Sequence, residues 1–262
     1  MLALLPVVVR TQHNRELLRL LTWRETVARY KRTVLGVGWA LAEPLSLGAV
    51  YFVVFRYFAH VQVDNYPFYL MAGLFPWICL QGCIMHSAGA IGDNSNLVKK
   101  VYFPRAALSL SRVLNQFLNL AVCMGLLLAV ALPWPNLGWG LHTLWLVPGC
   151  TLLFALSAAL GAAVSVLTPY LRDLTHILGF VFRLGTYASP IMYETSNVPG
   201  AWRFVLLVNP MTCVLEMFHA ALLPNRGLDW HAVVVSAGVL AVLTILGCLA
   251  FVRVDRHVAE LL

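Results

Sequence analysis

Three stretches of the chain contain no Asp, Glu, Lys or Arg: Asn65–Gly92, Val113–Leu171 and His231–Val252. A bilayer core is about 30 Å thick, and about 20 apolar residues in helical conformation cross it. The middle stretch is long enough for two such helices, with Leu132–Asn136 (LPWPN) as the turn between them. Only 11% of all residues are charged, whereas soluble domains carry about 25%. The sequence therefore predicts an integral membrane protein.

We predict one transmembrane domain over residues 1–262, built from six membrane-spanning helices. Helices are expected because a span must satisfy its backbone polar groups internally. An N-terminal cytoplasmic or interfacial helix is expected in 1–32, spans one to five in 33–193, and a cytoplasmic tail in 253–262. The predicted spans are 34–58, 67–90, 109–132, 143–167, 175–193 and 231–252.

The basic residues predict that both termini face the cytoplasm, because cytoplasmic loops carry an excess of Lys and Arg. With the N-terminus inside, fourteen of the eighteen basic residues fall on the cytoplasmic side. The exceptions are Arg56, Arg203 and Arg226 outside, and Arg183 within a span. The net charge of +7 then reflects topology and attraction to anionic lipid. It does not indicate binding to nucleic acid.

The segment Asn14–Tyr30 (NRELLRLLTWRETVARY) is moderately amphipathic. Its apolar face covers roughly half of a helical circumference, with Arg15, Arg19 and Arg29 opposite and Glu16 and Arg24 as exceptions. The residues of this face are Leu17, Leu20, Leu21, Trp23, Val27 and Ala28. A helix lying on the inner leaflet fits this pattern, and a basic topogenic flank is the alternative. The candidates for the place where a substrate enters from the inner leaflet are Trp23, Arg29, Tyr30, Lys31 and Trp39.

The chain lacks the motifs of ATP hydrolysis and of catalysis. Its three lysines (Lys31, Lys99 and Lys100) never follow a glycine, so it contains no Walker A motif. It also has no Gly-x-Ser-x-Gly or His-Glu-x-x-His pattern. The six cysteines form no Cys-x-x-Cys and are expected to pack as small apolar residues. We expect no catalytic residue, no metal site and no bound cofactor, so a nucleotide site would come from another polypeptide.

Residues 194–230 are too apolar for a solvated loop and too long for a turn. They contain two apolar pieces, Ala201–Val208 and Met211–Leu223, each too short to cross a bilayer. Asn209–Pro210 separates them, and proline does not continue a helix interior. We predict two half-helices that dip into the outer leaflet and return. Two helices lying flat on the outer surface are the alternative.

The ionisable residues Glu43, Arg183 and Glu216 lie in predicted membrane-embedded segments, where facing lipid is costly. They should face protein or water, and a Glu43–Arg183 ion pair is one hypothesis. Aromatic residues near both interfaces serve either as belt anchors or as stacking platforms for sugar rings. The candidates for a transport pathway or gate are Glu43, Tyr51, Arg183, Tyr187, Tyr193, Asn209, Pro210 and Glu216.

Five segments resemble the permease subunits of ABC-2 type polysaccharide exporters, the family of O-antigen, capsule and teichoic-acid export. The resemblance covers nearly the whole chain, in the same order. Many relatives carry an uncharged residue where this chain has Glu43. The segments are RYKRTVLGVGWALAEPL (29–45), AGLFPWICLQG (72–82), LVKKVYFPR (97–105), YLRDLTHILGFVFRLGTYASPIMY (170–193) and NPMTCVLEMFHAALL (209–223).

The resemblance implies the all-α architecture of ABC-2, or type V, exporters. This architecture has six spans, an N-terminal interfacial helix and a re-entrant outer helical hairpin before the last span. It implies a homodimer with two copies of a separate ABC ATPase subunit, which binds ATP and Mg. The cargo would be a lipid-linked polysaccharide, capsule or O antigen, exported across the bacterial inner membrane. Periplasmic or outer-membrane export components would be further partners, and nucleic acid would not.

The segment at 92–105 is the expected cytoplasmic coupling helix that docks on the ATPase. Asn94 or Ser95 would cap it, its lysines and aromatic residues would contact the partner, and Pro104 would end it. A basic topogenic loop without a partner is the alternative. The coupling candidates are Leu97, Lys99, Lys100, Tyr102, Phe103, Pro104 and Arg105.

Two other function classes remain open at this point. One is an ABC-2 exporter of a small lipophilic compound, which needs no wide channel for sugars. The other is a membrane-embedded glycolipid-processing enzyme, which would cluster acidic or histidine residues at one interface. The acidic residues are dispersed along the chain, which argues against the enzyme.

Overall fold

The computed structural model describes residues 12–31, 33–61, 63–95, 104–134, 137, 140–171, 173–195, 198–223 and 227–258. Within these ranges all regular secondary structure is helical. The helices are α1 (Gln12–Tyr30), α2 (Trp39–Val53), α3 (Tyr66–Ala88), α4 (Ala106–Ala131), α5 (Leu146–Leu167), α6 (Leu174–Ala188), α7 (Gly200–Val208), α8 (Met211–Leu222) and α9 (Trp230–Val258).

Five helices in the described ranges are long and apolar enough to cross a membrane. They are α3, α4, α9, α2 with its π-helical continuation to Phe58, and α5 with the short helical turn that begins at Leu141. The predicted break at Asn209–Pro210 is confirmed, because α7 and α8 meet there at 96°. The chain is thus an all-α, multi-pass membrane protein in which a sharply bent helix pair precedes the last span.

The predicted fifth span is shorter than expected. We predicted residues 175–193, but α6 ends at Ala188 and has only 15 residues, a length of about 22 Å. Ser189 is extended, with φ −101° and ψ 147°, because the ring of a following proline disfavours helical conformation in the preceding residue. Pro190 therefore stops this helix before it reaches the length of a full crossing.

The interior of the bundle is formed by α3, α4, α5, α8 and α9, which pack against one another. Small residues let these helices approach closely. A Cβ atom added at Gly161 of α5 would lie 2.8 Å from Ser87 Oγ of α3. One added at Gly247 of α9 would lie 3.0 Å from the carbonyl carbon and oxygen of Ala159 in α5. A side chain at either position would therefore force a neighbouring atom to shift.

A column of aromatic rings holds the bent helix pair in the bundle. Phe52 stacks on Tyr66, Tyr66 on Tyr69, and Tyr69 on His219 of α8 at a centroid distance of 3.9 Å. The Tyr69 hydroxyl donates to the carbonyl oxygen of Tyr193 at 2.7 Å. The hydroxyl of Tyr66 likewise donates to the carbonyl of Met192 at 3.1 Å. The N-terminal part of α3 thereby fixes both α8 and the chain that follows α6.

Helices α2 and α6 lie on the periphery. Helix α2 contacts α3 and α4, and α6 contacts α3. Both present large apolar side chains outward. Those on α2 and its π-helical turn include Val50, Val53, Tyr57 and Phe58, and those on α6 include Ile177, Phe180, Val181 and Leu184. In a membrane these faces meet either lipid or another protein surface.

Candidate functional site

A cavity of about 750 Å³ lies where α1 ends, α2 begins and α3 approaches its end, beside the middle of α4. Its position corresponds to the half of the membrane for which the sequence predicts the cytoplasmic side. Side chains of α1, α3 and α4 form its polar wall, Thr33 and Glu43 add further polar groups, and apolar residues such as Leu47 and Phe75 complete it. The polar and ionisable side chains that line it are Arg29, Thr33, Glu43, Gln81, His86, Gln116 and Asn119.

Gln116 of α4 is the centre of this polar wall. Its side-chain oxygen lies 3.5 Å from Arg29 Nη1 and 3.3 Å from Asn119 Nδ2, and both nitrogens donate. With the carboxamide turned over, the oxygen lies 3.0 Å from both Arg29 Nη2 and His86 Nε2. The second orientation joins α1, α3 and α4 at one acceptor. Gly82 leaves room for it, since a Cβ there would lie 2.7 Å from Gln116 Cδ.

Helix α2 supplies the opposite wall. Trp39, Glu43 and Leu47 are spaced four residues apart and all line the cavity, because residues four apart lie on the same face of a helix. The Glu43 side chain is exposed rather than packed into the bundle. At the helix start, the Cys123 thiol of α4 donates to the carbonyl of Ala40 at 3.4 Å. The cavity therefore has a guanidinium on one wall and a carboxylate on another.

The three tyrosines proposed for the pathway, Tyr51, Tyr187 and Tyr193, lie close together. They meet one helical turn beyond Leu47, where α2 faces α6. Tyr51, four residues beyond Leu47, lies beside Tyr187 of α6. The Tyr193 hydroxyl donates to the carbonyl of Tyr187 at 3.0 Å. Phe55 packs edge-on to Tyr51, with ring centroids 6.4 Å apart. One stripe of α2 thus leads from the polar cavity to an aromatic cluster shared with α6.

The proposed Glu43–Arg183 ion pair is absent from the ion pairs of the described residues. Both side chains are exposed, Glu43 on α2 and Arg183 on α6, one turn before Tyr187. An ion pair between them within one chain is thus the wrong expectation for this structure. Helices α2 and α6 each pack on α3, and they contact each other less than they contact α3.

The other gate candidates lie inside the bent helix pair and its supports. Glu216 is 1% exposed and accepts a hydrogen bond from Thr195 Oγ1 at 2.8 Å. The Asn209 amide nitrogen donates to Ser189 Oγ at 2.7 Å, and its oxygen accepts from the backbone of Met211 at 2.9 Å. Pro210 forms the corner with Asn209. These residues fix the shape of the hairpin and do not line the cavity.

Most of the predicted coupling residues lie outside the described residues: Leu97, Lys99, Lys100, Tyr102 and Phe103. Arg105, just before α4, contacts its own chain. Its Nη1 donates to the carbonyl of Asp255 at 2.7 Å and lies 3.3 Å from the carboxylate of Asp255. The sequence assigned Arg105 to the ATPase contact, whereas here it joins the start of α4 to the end of α9. Pro104 directly precedes it.

The predicted N-terminal candidates divide into two groups. Arg29 and Trp39 line the cavity. Trp23 and Lys31 are exposed, and the Tyr30 side chain lies outside the described residues. Asn94, expected to cap a coupling helix, uses its amide otherwise. It donates to the carbonyl of Ala90 at 2.9 Å and accepts from Arg24 of α1.

The sequence profile described as ABC-2 type transporter matches residues 16–223. This chain belongs to the ABC-2 type transporter family. The family implies an ABC ATPase as partner. The match begins in α1 and ends directly after α8, so it includes both the cavity and the bent helix pair.

Three curated relatives are similar over most of their length. The O-antigen export system permease protein RfbA of Klebsiella pneumoniae is 26% identical over 251 residues, 94% of this chain and 95% of the relative. RfbA of Myxococcus xanthus is 30% identical over 234 residues, 87% and 88% of the two chains. The polysialic acid transport protein KpsM of Escherichia coli is 25% identical over 205 residues, 77% and 79%.

The sequence did not predict two features of this ABC-2 chain. Gln116 and Asn119 are not among the predicted site residues, although their spacing of three residues in an uncharged run places them on one helical face. Arg112 was counted only as a cytoplasmic charge, yet it pairs with Glu25 of α1 at 2.6 Å. Polar residues spaced three or four apart along an apolar span are the signal that would have found all three.

Proposed function

We propose that two copies of this chain form the membrane path of an ATP-driven exporter for a lipid-linked cell-surface polysaccharide. The exporter lies in the bacterial inner membrane with the termini of both copies in the cytoplasm. Two copies of an ABC ATPase subunit bind ATP and Mg and drive transport. Support for the cargo comes from relatives named for O-antigen export and polysialic acid transport.

One observation carries this proposal: a single stripe of α2 runs from a polar cavity to a tyrosine cluster. A lipid-linked polysaccharide has an anionic group between its lipid and its sugars. The Arg29 guanidinium and the neighbouring donors around Gln116 suit such a group, because charge-assisted hydrogen bonds are the strong ones. The tyrosine faces suit sugar rings, which present apolar C–H groups to aromatic planes.

The stripe is open on one side in a single chain, which is why we propose the homodimer. Trp39 and Tyr187 are 49% and 59% exposed, and the adjoining faces of α2 and α6 are apolar. A second copy packed against α2 and α6 would enclose the path between two such stripes. Lipid would otherwise cover the tyrosines, and sugars could not reach them.

Deletion and complementation in the source bacterium test the cargo. We expect cells without this chain to lose surface polysaccharide and to accumulate the lipid-linked polymer inside, because synthesis continues without export. The intact chain should restore the surface polymer. Normal surface polysaccharide in the deletion strain would reject the proposed cargo. Gain of sensitivity to a lipophilic compound would instead indicate a small-molecule exporter.

Purification of the tagged chain from native membranes in a mild detergent tests the assembly. We expect two copies of the chain with two copies of a protein that carries a Walker A motif. Glycan-processing activity of the chain purified alone would indicate an enzyme. Recovery of the chain alone under all mild conditions would contradict the ATP-driven assembly.

A further inference from the structure

Arg112 of α4 bridges two separate elements of the chain. Its Nη1 lies 2.6 Å from Glu25 Oε2 of α1, and its Nη2 lies 3.2 Å from Asp93 Oδ2 in the turn that follows α3. The Arg112 and Glu25 side chains are only 16% and 14% exposed, whereas Asp93 is 63% exposed. The pair with Glu25 is therefore the less screened of the two.

Neighbouring residues reinforce this bridge. Asn115 Nδ2 of α4 donates to Thr26 Oγ1 at 2.7 Å, and Arg24 donates to the side chain of Asn94. Successive residues of an α-helix point about 100° apart. Contacts from Arg24, Glu25 and Thr26 therefore hold α1 from more than one side. Together they join α1 to α4 and to the turn that contains Asp93 and Asn94.

Two side-chain contacts between α1 and α4 lie four residues apart on both helices, and a shared buried cluster lies four residues before them. Leu21 and Leu108 belong to one buried cluster, Glu25 pairs with Arg112, and Arg29 reaches Gln116. Two helices that meet in this way run side by side in a fixed register. The Glu25–Arg112 pair thus lies one turn from the contact that forms the polar wall of the cavity.

We propose that Arg112 is a positioning residue, which makes α1 and the turn after α3 move as one body and so sets the position of Arg29 in the cavity. This inference rests on the proposed function, together with the expectation from the sequence that the ATPase docks on the segment between α3 and α4. Displacement of the Asp93–Asn94 turn then shifts α1 through Arg112. The polar wall of the cavity is repositioned because Arg29 follows.

Distances between spin labels in nanodiscs test the rigid unit directly. Labels are placed at Leu20→Cys on α1 and Gly92→Cys on the turn, both exposed positions, in a chain without its native cysteines. In the ATPase complex we expect one narrow distance that ATP does not change. With Arg112→Gln we expect that distance to broaden and to shift with ATP. An unchanged, narrow distance in Arg112→Gln overturns the proposal.

A matched control removes an ion pair at the other end of the molecule. Arg203→Gln separates α7 from Asp229 before α9 and should leave the Leu20–Gly92 distance as in the parent chain. If Arg203→Gln broadens it equally, the effect reflects general loosening of the fold and the proposal fails. If Arg112→Gln broadens it fully without ATPase or nucleotide, and ATP adds no shift, Arg112 only holds the fold together and the proposal also fails.

Removal of each carboxylate tests the two pairs separately. Glu25→Gln breaks the pair with α1, and Asp93→Asn breaks the pair with the turn. Each should broaden the Leu20–Gly92 distance as Arg112→Gln does, with the larger effect in Glu25→Gln because its pair is the less screened. A narrow distance in both variants contradicts the bridge.

Transport separates this inference from the proposed function. We expect Arg112→Gln to lower polysaccharide export about tenfold, within the usual range for coupling between two sites, while ATP hydrolysis continues. Full export by Arg112→Gln overturns the positioning role. If the parent chain exports no polysaccharide but its label distances behave as described, the cargo assignment fails and the rigid unit stands.

Discussion

Helices α2 and α3 have similar hydropathy but opposite surroundings. Their mean hydropathies are 1.3 and 1.6, yet only 11% of the residues in the most apolar stretch of α2 and its π-helical continuation are buried, against 72% in that of α3. Both also carry a proline in the helix interior, Pro44 and Pro76. Apolar composition therefore places both helices in the membrane without specifying what each one faces. The buried helix holds the structure together, and the exposed helix is free to line a path or meet a second copy.

The largest expected difference between these helices is in stability. Tyr69 of α3 is fully buried, stacks on His219 and donates to Tyr193. We expect Tyr69→Ala to lower the free energy of unfolding by about 3–5 kcal/mol, as for other large aromatic truncations. Val53→Ala on the exposed face of α2 should change it by less than about 0.5 kcal/mol. Equilibrium unfolding in mixed micelles with SDS measures both, and equal losses would abolish the contrast.

A second difference concerns close contact between helices within the bundle. A side chain at Gly247 meets the backbone of Ala159 at 3.0 Å, which cannot move aside as a flexible side chain can. We expect Gly247→Leu to cost about 1–3 kcal/mol through overpacking. A Cβ atom added at Gly238 of the same helix would have no neighbour within 4 Å, so Gly238→Leu is the matched control. The same unfolding measurement applies, and a stable Gly247→Leu protein would show that α5 and α9 can separate freely.

A third difference is functional and concerns the wall of the cavity that lies opposite α2. Gln116→Leu removes the acceptor shared by Arg29 and its neighbours but retains side-chain volume. We expect export to fall about tenfold, equivalent to about 1.4 kcal/mol in a rate. Val122 lies on the exposed face of the same helix, so the Val122→Ala variant should export normally. Surface polysaccharide measured over time at matched protein levels provides the comparison. Normal export by Gln116→Leu would show that the polar wall takes no part in transport.

The sequence predicted what depends on local chemistry. The membrane location, the α-helical class and the break at Asn209–Pro210 follow from composition and from proline geometry, and the structure agrees with them. The sequence did not predict which helix would be buried, since apolar side chains pack equally well against lipid and against protein. The sequence also did not predict the role of Gln116. An uncharged amide in an apolar run acquires that role only when Arg29 and His86, from other helices, come within hydrogen-bonding distance of it. The Glu43–Arg183 hypothesis failed because α2 and α6 are both arranged around α3.

The smallest expected effect lies at the start of α9, where Asp229 caps the helix. Its carboxylate accepts from the backbone of Ala232 at 3.1 Å and pairs with Arg203 of α7. Partial burial raises the pKa of Asp229, but the hydrogen bonds from Ala232 and Arg203 and the nearby positive charges outweigh it, so the pKa is lowered overall. An acid whose pKa is lower in the folded protein stabilises the fold above its unfolded value, about 3.9. That contribution disappears as the pH falls from about 4 through the folded pKa.

We expect Asp229→Ala to cost about 0.5–1 kcal/mol at neutral pH through loss of the cap. Asp229→Asn should cost less, because asparagine also caps a helix. Its stability should also lose the component of pH dependence below about pH 4 that comes from this carboxylate. Unfolding curves for the three proteins between neutral and acidic pH measure this. If Asp229→Asn keeps the full pH dependence of the parent chain, the Arg203–Asp229 contact does not stabilise the junction of α7 and α9. That junction would then rest on apolar packing alone, as the contacts of α2 with α3 largely do.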